Sequence, residues 1–170
     1  MKKLICLMMA LALLSVGALA ETATYTDADD ALSFQFDKSA FEIDMDDSTE
    51  TEHLVILSGT REDWGEYYVR LYTRLMEEGD QYPTREDFAD IEEELNAEIT
   101  EGEWNGFQNV IMYEAHDDKY LEMMFSAPLV DRDMILVVYV GANQLEDEEA
   151  AMARDDLISA VVDSIEIGES

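Results

Sequence analysis

Cysteine is almost missing. The single thiol, Cys6, sits in a leading apolar segment, so the residues after it can form no disulfide and supply no thiolate ligand. Proline occurs only at Pro83 and Pro128, leaving no stretch with the composition of an interdomain linker. Histidine occurs only at His53 and His116, far apart and without the His-Glu-x-x-His spacing of a zinc hydrolase. Positive charge is scarce: 10 Lys and Arg stand against 41 Asp and Glu, a formal charge of −31. Nucleic acids are excluded as partners, because their binding depends on Lys and Arg neutralising phosphates, and an anionic lipid surface is repelled for the same reason.

What is present at the amino end is an export signal. Lys2 and Lys3 precede an apolar run from Leu4 to Leu14, and the small residues Ala18 and Ala20 stand ahead of polar Glu21. The run is too short for a permanent membrane span, and the small residues fit signal peptidase. Cleavage after Ala20 is expected, giving a secreted or periplasmic product. Its charge then rests on 8 basic against 41 acidic residues, a balance that favours solubility at some cost in self-repulsion. Cys6 lies mid-run rather than at the cleavage site, so no lipid anchor is expected. The next apolar run, Met134 to Val140, has strand length, so no stable membrane insertion follows.

Residues 21–31 read as a polar lead-in and 32–170 as one domain, long enough to bury about 70% of its unfolded surface without covalent staples. Period-two alternation marks strands at Leu32, Phe34, Phe36 and at Phe41, Ile43, Met45, with Asp37 to Ala40 turning between them. His53 to Leu57 reads as a central strand. Tyr67 to Leu75 fits a strand or a helix by periodicity, and its two tyrosines, Val69 and Thr73 favour a strand. Thr84 with Asp87 predicts a capped helix start, with Phe88, Ile91, Leu95 and Ile99 as its buried stripe. Phe107 to Glu114, Tyr120 to Phe125 and Met134 to Val140 predict an antiparallel meander opened by Asn105-Gly106. A last helix over Glu146 to Asp163 buries Ala150, Ala153, Leu157, Val161 and, just beyond it, Ile165, and Ser164 to Ile167 closes as an edge strand. The expected fold class is α/β (α+β): one antiparallel sheet of about six or seven strands flanked by helices, monomeric or weakly dimeric.

Within this frame Leu32-Ser33-Phe34-Gln35-Phe36, Trp64 before a strand, Trp104-Asn105-Gly106-Phe107 and the final Ile158 to Ile167 segment stand in an order that resembles the PsbP/Mog1-like superfamily, including its DcrB-like bacterial exported members. The resemblance spans nearly the whole exported chain. It implies an α/β/α sandwich and a family of binding and assembly accessory proteins with few or no enzymes, and it brings no catalytic residues.

Chemistry-bearing motifs are sparse. Leu57-Ser58-Gly59-Thr60 is no nucleophile elbow. Among so many acids every carboxylate pair loses specificity as a glycosidase signal. His116-Asp117-Asp118 serves either as a turn or as a cation ligand. Acids cluster at Asp27, Asp29 and Asp30 and at Asp44, Asp46 and Asp47, but from Asp44 the EF-hand pattern places Thr49 at the glycine position and Val55 at the bidentate glutamate. These six aspartates remain candidates for weak divalent-cation binding. The distinctive feature is positional: Tyr68, Arg70, Tyr72 and Arg74 alternate along one strand, with Trp64 and Tyr82 near its ends. Such a stripe can stack on planar groups and hold a carboxylate, an acidic peptide or a sugar ring. Alternatively, its arginines pair across the sheet with acids such as Glu114 or Glu122.

The expected function is therefore an exported, non-catalytic binding or assembly module without a cofactor. Its partner is an unknown protein, peptide or small neutral or cationic ligand. The alternatives are a metal- or carboxylate-dependent secreted hydrolase and a weak divalent-cation-binding protein.

Overall fold

The computed structural model describes residues 21–27, 32–49, 51–116 and 120–168. The signal segment, Asp29, Asp30, Asp117 and Asp118 lie outside them. Among these residues ten strands and two α-helices follow in the order β1 (Thr22–Thr26), β2 (Leu32–Asp37), β3 (Glu42–Ser48), β4 (Glu52–Arg61), β5 (Gly65–Leu75), α1 (Ala89–Leu95), β6 (Glu98–Trp104), β7 (Phe107–His116), β8 (Tyr120–Leu129), β9 (Met134–Asn143), α2 (Glu148–Asp163) and β10 (Glu166–Ile167). Seven strands form one antiparallel sheet in the order β3-β4-β5-β9-β8-β7-β6, and β1-β2-β10 form a second, smaller one.

Chain order explains the layering. After the hairpins β3-β4-β5 the chain leaves the middle of the large sheet, and β6 resumes at its far edge. The crossover carries α1 over one face, where Phe88 and Ile91 pack on Ile99, Ile111, Tyr113, Ala115 and Met124. The small sheet and α2 cover the opposite, inner face. There Leu32, Phe34, Val55, Leu57, Val69, Leu71, Leu136, Val138 and Val140 form the main core with Ile158, Val161 and Val162 of α2. α1 covers the outer face over β6 to β8; the part built from β4 and β5, bordered by Tyr139 of β9, is open.

The expected meander is present, extended by one strand at its start. Asn105 and Gly106, at φ 48° and 82°, make the β6–β7 turn, the pair of left-handed residues that matches strand twist in a two-residue hairpin. The strand reading of 67–75 is correct, with β5 between β4 and β9. Other expectations need correction. Asp37 to Ala40 does turn the chain, but β2 and β3 then enter different sheets. Ile43 and Met45 are 42% and 45% exposed, because β3 is an edge strand bent by a bulge between them. Residues 53–57 do lie in an interior strand, β4 between β3 and β5, and alternate in burial along it, with Val55 and Leu57 inside. The lead-in contains β1, whose Tyr25 stacks on Phe34 at 4.8 Å between centroids.

The first helix is much shorter than its apolar spacing implied. It begins with a single 3-10 turn at Arg85–Phe88 and stops at Leu95, where Asn96 takes the left-handed conformation at φ 49°. Ile99 is buried from β6 instead. The start is as expected: the Asp87 carboxylate accepts from the Thr84 amide at 2.7 Å and the Thr84 hydroxyl at 2.8 Å. These bonds, the amide first, hold the Asp87 pKa below its usual value. A depressed folded-state pKa means that the stability from this turn is complete above the ordinary carboxylate range and fades as pH falls through Asp87's own pKa. A carbon-detected NMR titration should place the Asp87 midpoint below that of an ordinary aspartate; a midpoint at or above it would show the turn to be open in solution.

The α2 stripe is rotated from the expected one. Arg154, Ile158, Val161 and Val162 are its buried residues, whereas Ala153 is exposed and Ala150 and Leu157 are half-buried. Asp147 caps the helix, accepting from the amides of Glu149 at 3.0 Å and Ala150 at 3.1 Å. Ser164 then ties the end of α2 to the small sheet: its hydroxyl accepts from the Gln35 amide at 2.7 Å while donating to the Val161 carbonyl of the helix at 2.8 Å.

Candidate functional site

The open half of the outer face holds a shallow concavity of about 790 Å³. Strand register assembles it. Arg70 of β5 stands between Ile56 of β4 and Tyr139 of β9, and Tyr68 stands between Ser58 and Gly141. Glu122 of β8 lies opposite Gly141 on its other side. These residues alternate with the buried Tyr67, Val69 and Leu71 of the same strand, so the pleat that fills the core also builds the site.

Gly141 lets the aromatic group lie low. A Cβ there would meet Tyr68 Cε1 at 2.4 Å, Tyr68 Cζ at 2.5 Å and the Tyr120 hydroxyl at 2.6 Å, so the Tyr68 ring covers bare backbone. The Tyr68 and Tyr120 side chains are hydrogen-bonded to each other. Tyr113, beneath α1, donates its hydroxyl to Glu122 Oε1, which fixes that carboxylate at the border of the concavity. Burial, more than any other influence, raises the pKa of Tyr113, Tyr120 and Tyr139. Their phenols therefore stay neutral at physiological pH and act as hydrogen-bonding groups rather than bases.

Arg70 sits 5.9 Å above the Tyr139 ring centroid and is exposed. Among the described residues it has no carboxylate at ion-pair distance, unlike Arg61, Arg74, Arg85 and Arg154, which pair with Asp63, Asp80, Glu92 and Asp155. Pairing of the arginines with Glu114 or Glu122 is thus replaced by other contacts: Arg74 reaches Asp80 at 3.2 Å and Glu122 holds Tyr113.

Of the six residues singled out for binding, the structure brings Tyr68 and Arg70 into the concavity. Tyr72 and Arg74 share their face but not the concavity, and the Tyr72 hydroxyl donates to Glu52 Oε1 at 2.8 Å. Trp64 does not border this surface. It is 5% exposed, packed in the core against Tyr67 with the Arg61 guanidinium 3.7 Å above its ring. Tyr82 is half-buried, with its hydroxyl out of solvent and its pKa raised by burial and then by Asp133, and it is not part of the concavity's lining. Sequence reasoning missed Tyr139, Tyr120, Ser58, Ile56 and Gly141, whose role depends on cross-strand register and leaves no local motif.

The aspartate candidates separate in space. Asp27 is buried and its carboxylate lies 3.3 Å from His53 Nδ1, itself buried, linking the lead-in to β4. Asp46 accepts from the Tyr25 hydroxyl at 2.9 Å, Asp44 borders the concavity, and Asp47 is exposed on the edge strand. Among the described residues no group of three or more His, Cys, Asp or Glu is placed to hold a metal ion.

No family model and no curated protein sequence matches the chain. Solved structures do. The fold is similar to that of a mutant of protein Mog1, with TM-score 0.50 and 13% identity, covering 88% of this chain and 97% of that one. It is similar to the same degree to the Ran-binding protein Mog1p of Saccharomyces cerevisiae, with TM-score 0.50 and 13% identity over 87% and 96% of the two chains. Identity this low carries the architecture alone, and that architecture is Mog1-like.

Proposed function

We propose that the protein is an exported, non-catalytic binding module that captures its ligand or partner on the open half of the large sheet. The observation that carries this reading is the Tyr68–Arg70–Tyr139 surface. Arg70, exposed on β5 and free of ion pairs among the described residues, stands beside the half-buried rings of Tyr68 on the same strand and Tyr139 on β9, while the neighbouring part of the same face is covered by α1. A shallow open site suits capture better than catalysis, which calls for enclosure of the reacting groups. The Mog1-like fold agrees with a binding role by analogy only. Export rests on the Lys2 to Ala20 segment, and placement with the DcrB-like bacterial exported members rests on the sequence layout. Among the described residues no helix is long and apolar enough to cross a membrane.

Two measurements test the reading. Expression of the full chain should deliver a product beginning at Glu21 outside the cytoplasm; retention of the intact chain in the cytoplasm removes the export half. For the binding half, a photoreactive side chain at Thr60, on the rim of the concavity, should crosslink a partner that the same group at Met152, exposed on α2, does not. Arg70→Gln should suppress that adduct while leaving the melting temperature nearly unchanged, because an exposed side chain of this kind contributes only about 0–1 kcal/mol to folding. Equal adducts from both positions, or an adduct indifferent to Arg70→Gln, would refute this surface as the site.

A further inference from the structure

Accepting the open face as the binding site, we infer that its ligand is a neutral saccharide chain. Asp44, Glu66 and Glu122 border the concavity around the single Arg70, in a chain of formal charge −31. An anionic ligand that reaches Arg70 must approach three carboxylates, and a cationic ligand, though drawn to those carboxylates, offers the guanidinium no acceptor. A ligand without net charge meets neither penalty. If its hydroxyls both donate and accept, it satisfies both kinds of group at once, since a carboxylate only accepts and a guanidinium only donates.

The remaining lining fits the same chemistry. Ser58, Thr60 and the tyrosine hydroxyls add groups that donate or accept. The Tyr68 ring, half-buried and able to lie over Gly141 because that residue has no Cβ, which would stand 2.4 Å from it, presents a flat apolar platform at low height. The C–H face of a pyranose ring packs on such a platform while its equatorial hydroxyls reach outward to flanking polar groups. The concavity is shallow and open, so a chain can lie across it and leave by either end, which suits an oligosaccharide better than a small solute that needs enclosure.

The test uses the mature protein with isotope-labelled tyrosine rings, titrated with cellohexaose, maltohexaose, chitohexaose and mannohexaose, and separately with hexalysine and hexaglutamate. At least one neutral hexasaccharide should move the Tyr68 and Tyr139 ring signals in a saturable manner. Tyr68→Ala and Arg70→Gln should each weaken that binding by about tenfold or more, with Ser58→Ala as a milder variant that leaves the ring platform in place. If none of the sugars moves these signals at millimolar concentration, the saccharide assignment is overturned. If hexalysine or hexaglutamate saturates the same signals instead, the assignment fails while the binding face stands. If neither peptide nor sugar moves them and the crosslink from Thr60 is also absent, both readings fall together.

Discussion

Gly59→Ala should be among the most damaging single substitutions in this chain, lowering stability by about 3 kcal/mol or more. A Cβ at position 59 would stand 2.3 Å from the Ala40 carbonyl oxygen and 2.4 Å from Tyr67 Cζ. Neither neighbour is free to retreat. The Ala40 carbonyl receives the Tyr67 hydroxyl at 2.6 Å, and its turn is pinned by the Ala40 and Phe41 amides on the Asp37 carbonyl at 3.0 and 2.9 Å. The Asp37 carboxylate adds bonds from the Ser39 amide at 2.8 Å and hydroxyl at 2.7 Å. Tyr67 in turn meets Phe41 edge-on, with 5.3 Å between centroids, and Trp64 at 5.9 Å. For a domain of this size the loss corresponds to a melting temperature lower by about 6–12 °C. Gly141→Ala should cost less, because it meets the far ends of the Tyr68 and Tyr120 side chains, which can swing. Gly102→Ala, whose Cβ would find only Met112 Cε at 3.7 Å, should be nearly silent. Thermal melts of the three variants check this order, and a Gly59→Ala protein that melts with wild type would show that the Asp37–Phe41 turn yields.

The contrast between those glycines bears on what the sequence could reveal. Strands with apolar alternation on one face, such as Leu32-Ser33-Phe34-Gln35-Phe36, were legible because burial of alternate residues is a local signal. β6 was not: Glu98-Ile99-Thr100-Glu101-Gly102-Glu103-Trp104 carries one apolar residue until its end, since an edge strand with a solvated face asks for little else. It is a strand because β7 pairs with it. The helix boundary failed for a related reason. Phe88, Ile91, Leu95 and Ile99 keep helical spacing, but the left-handed Asn96 interrupts them, and the sequence shows only an asparagine of ordinary appearance. At the binding face, the alternation of Tyr68 and Arg70 was readable within one strand, whereas Tyr139 joins them because β9 is β5's neighbour across a long crossover. Tyr72 and Arg74 had the same local pattern and were drawn to Glu52 and Asp80 by contacts that only tertiary structure sets.

Arg154 carries the second large expected effect. A residue of this type on a helix stripe reads as solvent-facing, yet it is 2% exposed, and this is why the expected α2 stripe was misaligned. It shares the buried stripe of α2 with Ile158, and its guanidinium donates to the Asn143 carbonyl at the end of β9 and to Asp155 Oδ1 at 2.9 Å from Nε and 2.8 Å from Nη2. The charge thus closes the last carbonyl of β9 and ties α2 to the end of that strand. Asn143 matters beyond that, because its side-chain Oδ1 accepts from the Glu66 amide at 2.6 Å beside Gly65, whose φ is +65°, so β9, β5 and α2 meet at this residue. Arg154→Ala removes the stem and leaves the Asn143 carbonyl without its guanidinium, for a combined loss of about 3 kcal/mol. Arg154→Met restores most of the packing but not the donor and should recover roughly half of that loss. If the methionine variant is as stable as wild type, packing alone holds the helix and the bond to Asn143 contributes nothing. If methionine is no better than alanine, the guanidinium bond is the principal tie between α2 and the large sheet.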